Sequence, residues 1–157
     1  MVALQSGGGE RVTVDLMNYF VQKGNEVTLV LMDDGGFYTD QISSEIRVRY
    51  LHTKKFTHAL SSLVGIIKEI RPTTVFSSSM HTNVVLLIAA TFSGVRTRRV
   101  IRVGSPLTVV FSRYTSWKDK IILPLLTKFF YRRSTKIIAV SKGIADDIHT
   151  VIGSSKN

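Results

Sequence analysis

The chain has 157 residues, of which 44% are apolar and 20% charged, so it can bury one core and is too apolar for a disordered tail. It has no cysteine, which excludes a disulfide scaffold and any cysteine-ligated zinc or iron–sulfur site. The net charge of +10 is confined to one stretch: residues 1–95 balance eight basic against eight acidic side chains, residues 96–142 set twelve basic against Asp119 alone, and residues 143–157 are one unit negative.

Val2, Ala3 and Leu4 read as a strand that runs at once into Gln5-Ser6-Gly7-Gly8-Gly9. Strands usually have about five or six residues, so this one is very short or lacks its beginning. Val12, Leu16, Tyr19 and Phe20 fall at helical spacing, and Gly24 stands where a helix-ending glycine belongs. Residues 27–32 form an apolar, β-branched run, a strand covered on both faces. Residues 47–51 alternate polar and apolar, as an edge strand does. Leu60, Leu63, Val64, Ile67 and Ile70 give residues 58–70 an apolar helical face, and Pro72 stops that helix. A short strand at 74–76, an apolar helix at 82–92 ending before Gly94, and a strand at 99–103 follow. Residues 119–131 predict a helix interrupted or kinked at Pro124. A strand at 136–140 and a helix at 143–152 close the pattern before Gly153.

This alternation predicts an α/β fold: a Rossmann-like parallel sheet with helices on both faces, as a single domain spanning residues 1–157. Ligands of such sheets bind at the carboxyl ends of the strands. The longest apolar run, residues 84–92, has nine residues, against roughly 20 for a membrane-spanning helix. The start lacks a signal-peptide pattern, which with the absence of cysteine predicts a cytoplasmic location.

Four strand-end loops carry the candidate chemistry. Gly7, Gly8 and Gly9 with Glu10 and Arg11 open the first helix; glycines admit a ligand to the backbone, and free N–H groups at a helix start hold an anion. The loop resembles the dinucleotide pattern G-x-G-x-x-G only in part, because Val12 replaces the third glycine. Asp33 and Asp34 stand where a ribose-binding acid would, which keeps an NAD-dependent oxidoreductase as an alternative. The run from Ser77 to Asn83 places Ser79 and His81 at a strand end, as a pocket wall or as helix caps. Arg102 interrupts an apolar strand just before Gly104 and Ser105, so it faces a cleft or is an edge-strand residue in solvent. Ser141 is an N-cap candidate for the last helix, with Gly143 beside it.

Gly7-Gly8-Gly9-Glu10-Arg11-Val12, Leu16 and Lys23-Gly24-Asn25-Glu26-Val27-Thr28-Leu29-Val30 resemble the opening of the amino-terminal domain of family-four glycosyltransferases, with its G-G-x-E-R and G-[HN]-x-V. Residues 137–148, Ile-Ile-Ala-Val-Ser-Lys-Gly-Ile-Ala-Asp-Asp-Ile, are similar to that domain's closing I-x-V-S-x-x-x-x-x-D. Residues 70–75 carry the P-D-x-V end of that domain's I-x-x-x-x-P-D-x-V, with Thr73 at the usual aspartate. The resemblance implies the amino-terminal half of a two-domain GT-B enzyme, a retaining hexosyltransferase that moves sugar from a nucleotide sugar without a bound metal or cofactor. It implies that Gly7, Gly8, Gly9, Glu10 and Arg11 meet the donor phosphate or the acceptor. Ser79, His81, Arg102, Gly104, Ser105, Ser141 and Gly143 are then expected around a glycan or lipid-linked acceptor. Many members carry a histidine at the end of the fifth strand; this sequence has Arg102-Val103-Gly104 there, so no catalytic residue is assigned. The donor-binding domain, with its basic pair and Glu-x7-Glu, is absent from these 157 residues, so this piece alone is expected to be inactive.

Residues 113–133 place cations around an apolar run with Trp117 at its edge. Such a segment can lie on an anionic membrane, each basic residue contributing about 1 kcal/mol. The expected contacts are Trp117, Lys118, Lys120, Lys128, Arg132 and Arg133, on the inner face of the membrane; the alternative is a core helix with solvated ends. A basic nucleic-acid-binding module is the other reading of the charge, disfavoured because no nucleic-acid motif accompanies it.

Overall fold

The computed structural model describes residues 2–4, 7–36, 38–53 and 56–153; the side chains at 2–4, 33–36, 56, 57 and 118 lie outside the described set. In chain order the elements are β1 (Val2–Leu4), α1 (Gly8–Gln22), β2 (Thr28–Gly36), β3 (Arg47–Tyr50), α2 (Phe56–Ile70), β4 (Thr74–Ser77), α3 (Met80–Phe92), β5 (Arg98–Val103), α4 (Leu107–Ser112), α5 (Trp117–Tyr131), β6 (Lys136–Ala139) and α6 (Lys142–Ile152). A 3-10 turn at Thr39–Gln41 lies between β2 and β3.

Every strand pairing is parallel, as expected for strands separated by helices. The ladders form two groups of three, β1-β2-β3 and β4-β5-β6. With only three residues, β1 has little edge to give, and among the described residues no ladder joins it to β4. The two groups are tied by side chains instead. The Thr13 hydroxyl on α1 bonds that of Ser78, next to β4, at 3.0 Å. Val30 of β2 packs against Leu63 and Ile67 of α2 with Val75 of β4. The result is a Rossmann-like α/β domain with its parallel sheets flanked by helices.

The expected edge strand is β3, and its exposure alternates because successive side chains point to opposite faces of the sheet. Helix α1 lays Val14, Met17 and Val21 on Leu29 and Leu31 of β2. Helix α3 is apolar all round, with Asn83 to Ala90 buried in an unbroken run, which is how a central helix reads. Ile101 and Val103 of β5 meet Val84, Leu87 and Ile88 of α3 and Ile144 and Ile148 of α6 in the largest core. Gly24 follows α1 at φ +76° and Gly153 ends α6 at φ +68°, left-handed positions that glycine takes without strain.

The structure departs from the sequence reading in three elements, the first being β2, which runs on to Gly36 past its expected end at residue 32. Helix α5 runs through Pro124 without interruption. The proline removes one N–H from the ladder, leaving the Lys120 carbonyl without its usual partner. Helix α4 was not expected, because Val109 and Val110 are weak helix formers and its cap lies far away in sequence.

Asn83 is the polar knot inside the core and has no solvent exposure. The Ser77 hydroxyl donates to its Oδ1 at 2.6 Å, and its Nδ2 donates to the Arg102 carbonyl at 3.0 Å and to the Tyr131 hydroxyl at 3.2 Å. Burial pushes the Tyr131 hydroxyl up to about 12 from 10.0, with the Asn83 bond pulling slightly the other way. The folded value lies above the unfolded one, so the stability Tyr131 contributes is whole below about pH 10 and is lost as pH rises towards 12. Urea midpoints for Tyr131→Phe are therefore expected to fall less steeply than wild type across that window. Parallel falls would contradict the assignment.

Candidate functional site

The carboxyl ends of β1, β4 and β5 converge on the start of α1. Gly7 is the N-cap of that helix in extended conformation, and the Arg11 N–H closes its first turn on the Gly7 carbonyl at 3.1 Å. Gly7 has no side chain to cap this end, and among the described residues the first N–H groups of α1 have no side-chain cap. Glu10 folds its carboxylate back over Gly7, where a Cβ would collide with Oε2. Thr13, one turn on, donates to the Gly9 carbonyl at 2.9 Å while touching Ser78, which fixes the loop against the end of β4.

Arg102 completes this corner. β5 is the middle strand of its ladder, so the edge-strand alternative is overturned. Ile101 and Val103 face the main core; Arg102, between them in the alternation, emerges on the opposite face. A Cβ added to Gly9 would lie 3.6 Å from Arg102 Nη1, and one added to Gly104 would lie 3.2 Å from it. The guanidinium is thus enclosed by two glycines that leave it room. Among the described residues it makes no hydrogen bond and no ion pair. Two positive features, the amino end of α1 and the Arg102 side chain, meet here, and among the described residues Glu10 beside Gly7 is the counter-charge at hand. An anion with several oxygens suits such a corner, because guanidinium presents a fork of donors and the helix start adds N–H groups.

The other expected site residues fall into separate surroundings. Ser79 and Thr82 are bonded to each other at 2.9 Å as the cap of α3, the structural alternative weighed for Ser79. His81, exposed in the first turn of α3, bonds the Tyr114 hydroxyl through Nε2, with the rings edge to face at 5.8 Å. Burial, and then the Asp119 carboxylate, raise Tyr114 above the ordinary tyrosine range. Ser141 caps α6, accepting from the Ile144 N–H at 3.3 Å, and Gly143 is open to solvent. Ser105 is exposed. No hydrogen bond joins Ser141 or Gly143 to Arg102 among the described residues. Gln5 and Ser6 lie outside the described residues, as do the side chains of Asp33 and Asp34. Hollows of about 220 and 530 Å³ lie at the amino ends of the strands, one beside Gly24 and Arg47 and one beside Arg71 and Arg96, away from this corner.

Sequence reasoning missed two supporting residues. Asn83 holds the Arg102 carbonyl, and so the end of β5, in place. Asp147 of α6 accepts from the Leu107 N–H at 2.6 Å and from the Thr108 hydroxyl, which caps α4 and anchors the loop after Gly104. Asp147 is the final aspartate of the closing motif quoted above, so its spacing was visible but its task was not. Among the described residues no group of three or more histidine, cysteine, aspartate or glutamate side chains could hold a metal ion.

A search of curated proteins gave no match. A scan against family models matches residues 6–157, nearly the full length, to Glycosyltransferase Family 4. The chain belongs to glycosyltransferase family 4.

Proposed function

We propose that this chain is the acceptor-side domain of an enzyme that moves a sugar from a nucleoside diphosphate sugar to a glycan or lipid-linked acceptor. The observation that carries the reading is the Arg102 guanidinium, lodged between Gly9 and Gly104 with no partner among the described residues. As the sugar leaves its donor, negative charge grows on the departing diphosphate. A fixed cation and helix-start N–H groups stabilise that charge more than they stabilise the intact donor, which is how such groups accelerate transfer. In this reading Gly8 and Gly9 let the phosphate approach, Asn83 holds the end of β5 that carries Arg102, and Asp147 holds the loop after it. Nucleotide recognition falls to a second domain, so this chain alone is proposed not to transfer sugar.

The test is a binding competition on the chain as it stands. Uridine and guanosine diphosphate hexoses, with inorganic pyrophosphate as the minimal probe, are expected to bind in the millimolar range and to displace one another. Binding of NADH at least about tenfold tighter than any of them would replace this reading by the oxidoreductase one.

A further inference from the structure

Helix α5 carries an apolar face that the fold leaves in solvent. Trp117, Ile121, Ile122, Leu125 and Phe129 are 69, 53, 50, 62 and 53% exposed. At 3.6 residues per turn they share one arc of about 140°. The residues of α5 that reach the core, Leu126, Thr127, Phe130 and Tyr131, lie in its carboxyl half. There Thr127 touches Met80 and Tyr131 touches Asn83, both in the first turn of α3. Residues 117–126 include no buried side chain among those described. The amino half of α5 therefore stands out at the end of the molecule where α3 begins, which is the end that holds Gly9 and Arg102.

Charge decides what covers this face. Residues 113–133 contain six basic side chains against Asp119. Lys120 and Arg113 are exposed around its amino end. Arg133 lies over the Phe129 ring at 3.7 Å, at the lower edge of the stripe. Arg132, expected on the membrane, is used elsewhere: Nε and Nη2 donate to the Ile152 carbonyl at 3.1 and 2.6 Å, closing the end of α6. Even without it the segment keeps a surplus of positive charge. A second copy docked on the same face would bring like charges together, whereas an anionic lipid surface matches both the apolar stripe and its cationic border.

We propose that the exposed face of α5 docks this protein on an anionic bilayer, with Trp117, Ile121, Ile122, Leu125 and Phe129 among the headgroups and Lys120, Lys128 and Arg133 on lipid phosphates. Its purpose rests on the function proposed above: docked this way, the chain presents the Arg102 corner to an acceptor carried by the membrane. The docking itself is testable without donor or acceptor, so its failure and the failure of the glycosyltransferase reading are separable.

Trp117 is the only tryptophan, so it reports directly. With vesicles of phosphatidylcholine and phosphatidylglycerol, its emission is expected to shift to the blue and the protein to sediment with the lipid. With phosphatidylcholine alone, neither is expected. Ile121→Glu with Leu125→Glu, both at exposed positions and checked for an unchanged melting transition, should weaken binding by about tenfold or more. Lack of a blue shift with the anionic vesicles overturns the proposal. Equal binding by the double variant overturns it too, by moving the contact to another basic surface. So does a dimer that the double variant dissociates while wild type ignores vesicles, which would make a second copy the occupant.

Discussion

Asn83→Ala is expected to lower the stability of the fold by about 3 kcal/mol. The amide is fully buried and serves three partners on three elements: Ser77, the Arg102 carbonyl and Tyr131. Truncation leaves each without its bond in a site that water does not reach, at about 1 kcal/mol or more apiece, and adds a small cavity beside α3. Urea unfolding would show the loss as a lower midpoint at unchanged slope. A loss below about 1 kcal/mol would mean that the three partners re-pair among themselves and that the knot is not a structural hub. Because Asn83 also fixes the end of β5, the variant should in addition loosen the loop that carries Gly104 and Ser105.

Arg102→Glu is expected to weaken anion binding while leaving stability nearly unchanged. Its affinity for pyrophosphate should fall at least about tenfold, since a carboxylate then faces the incoming anion beside Gly9. Its stability should change by less than about 0.5 kcal/mol, because the native side chain has no partner to lose among the described residues. A small gain is consistent with a negative group at the start of α1, where the helix dipole favours it. A variant that unfolds instead would show that Arg102 is a structural cation. One that binds pyrophosphate as well as wild type would remove Arg102 from the site.

The layout of the domain was legible because it is written in local patterns. Alternating apolar runs set the parallel strands, Pro72 stopped α2, and Gly24 and Ser141 marked helix ends by residue type alone. What escaped the sequence depends on partners far apart along the chain. Helix α4 is capped by Asp147, forty residues later, so nothing within its own residues announced it. The spacing of apolar residues in α5 predicted a helix but not its orientation, and five of them face solvent rather than the core. Arg132 read as one of a cluster of surface cations until its bonds to the Ile152 carbonyl gave it a structural task. At the candidate site, the glycine loop and Arg102 were each visible, while their meeting was not: they are separated by more than ninety residues and joined only by the packing of α1 against the ends of β4 and β5.

The central claim is that the Gly9–Arg102 corner holds the phosphate of a transferable sugar. Backbone amide spectra of the wild-type chain during titration with inorganic pyrophosphate test it most directly. Shifts at Gly8, Gly9, Glu10 and Arg102 that saturate together, and that vanish in Arg102→Glu, are the predicted result. Shifts centred on Arg71 and Arg96, with Gly8 and Gly9 unmoved, would contradict it.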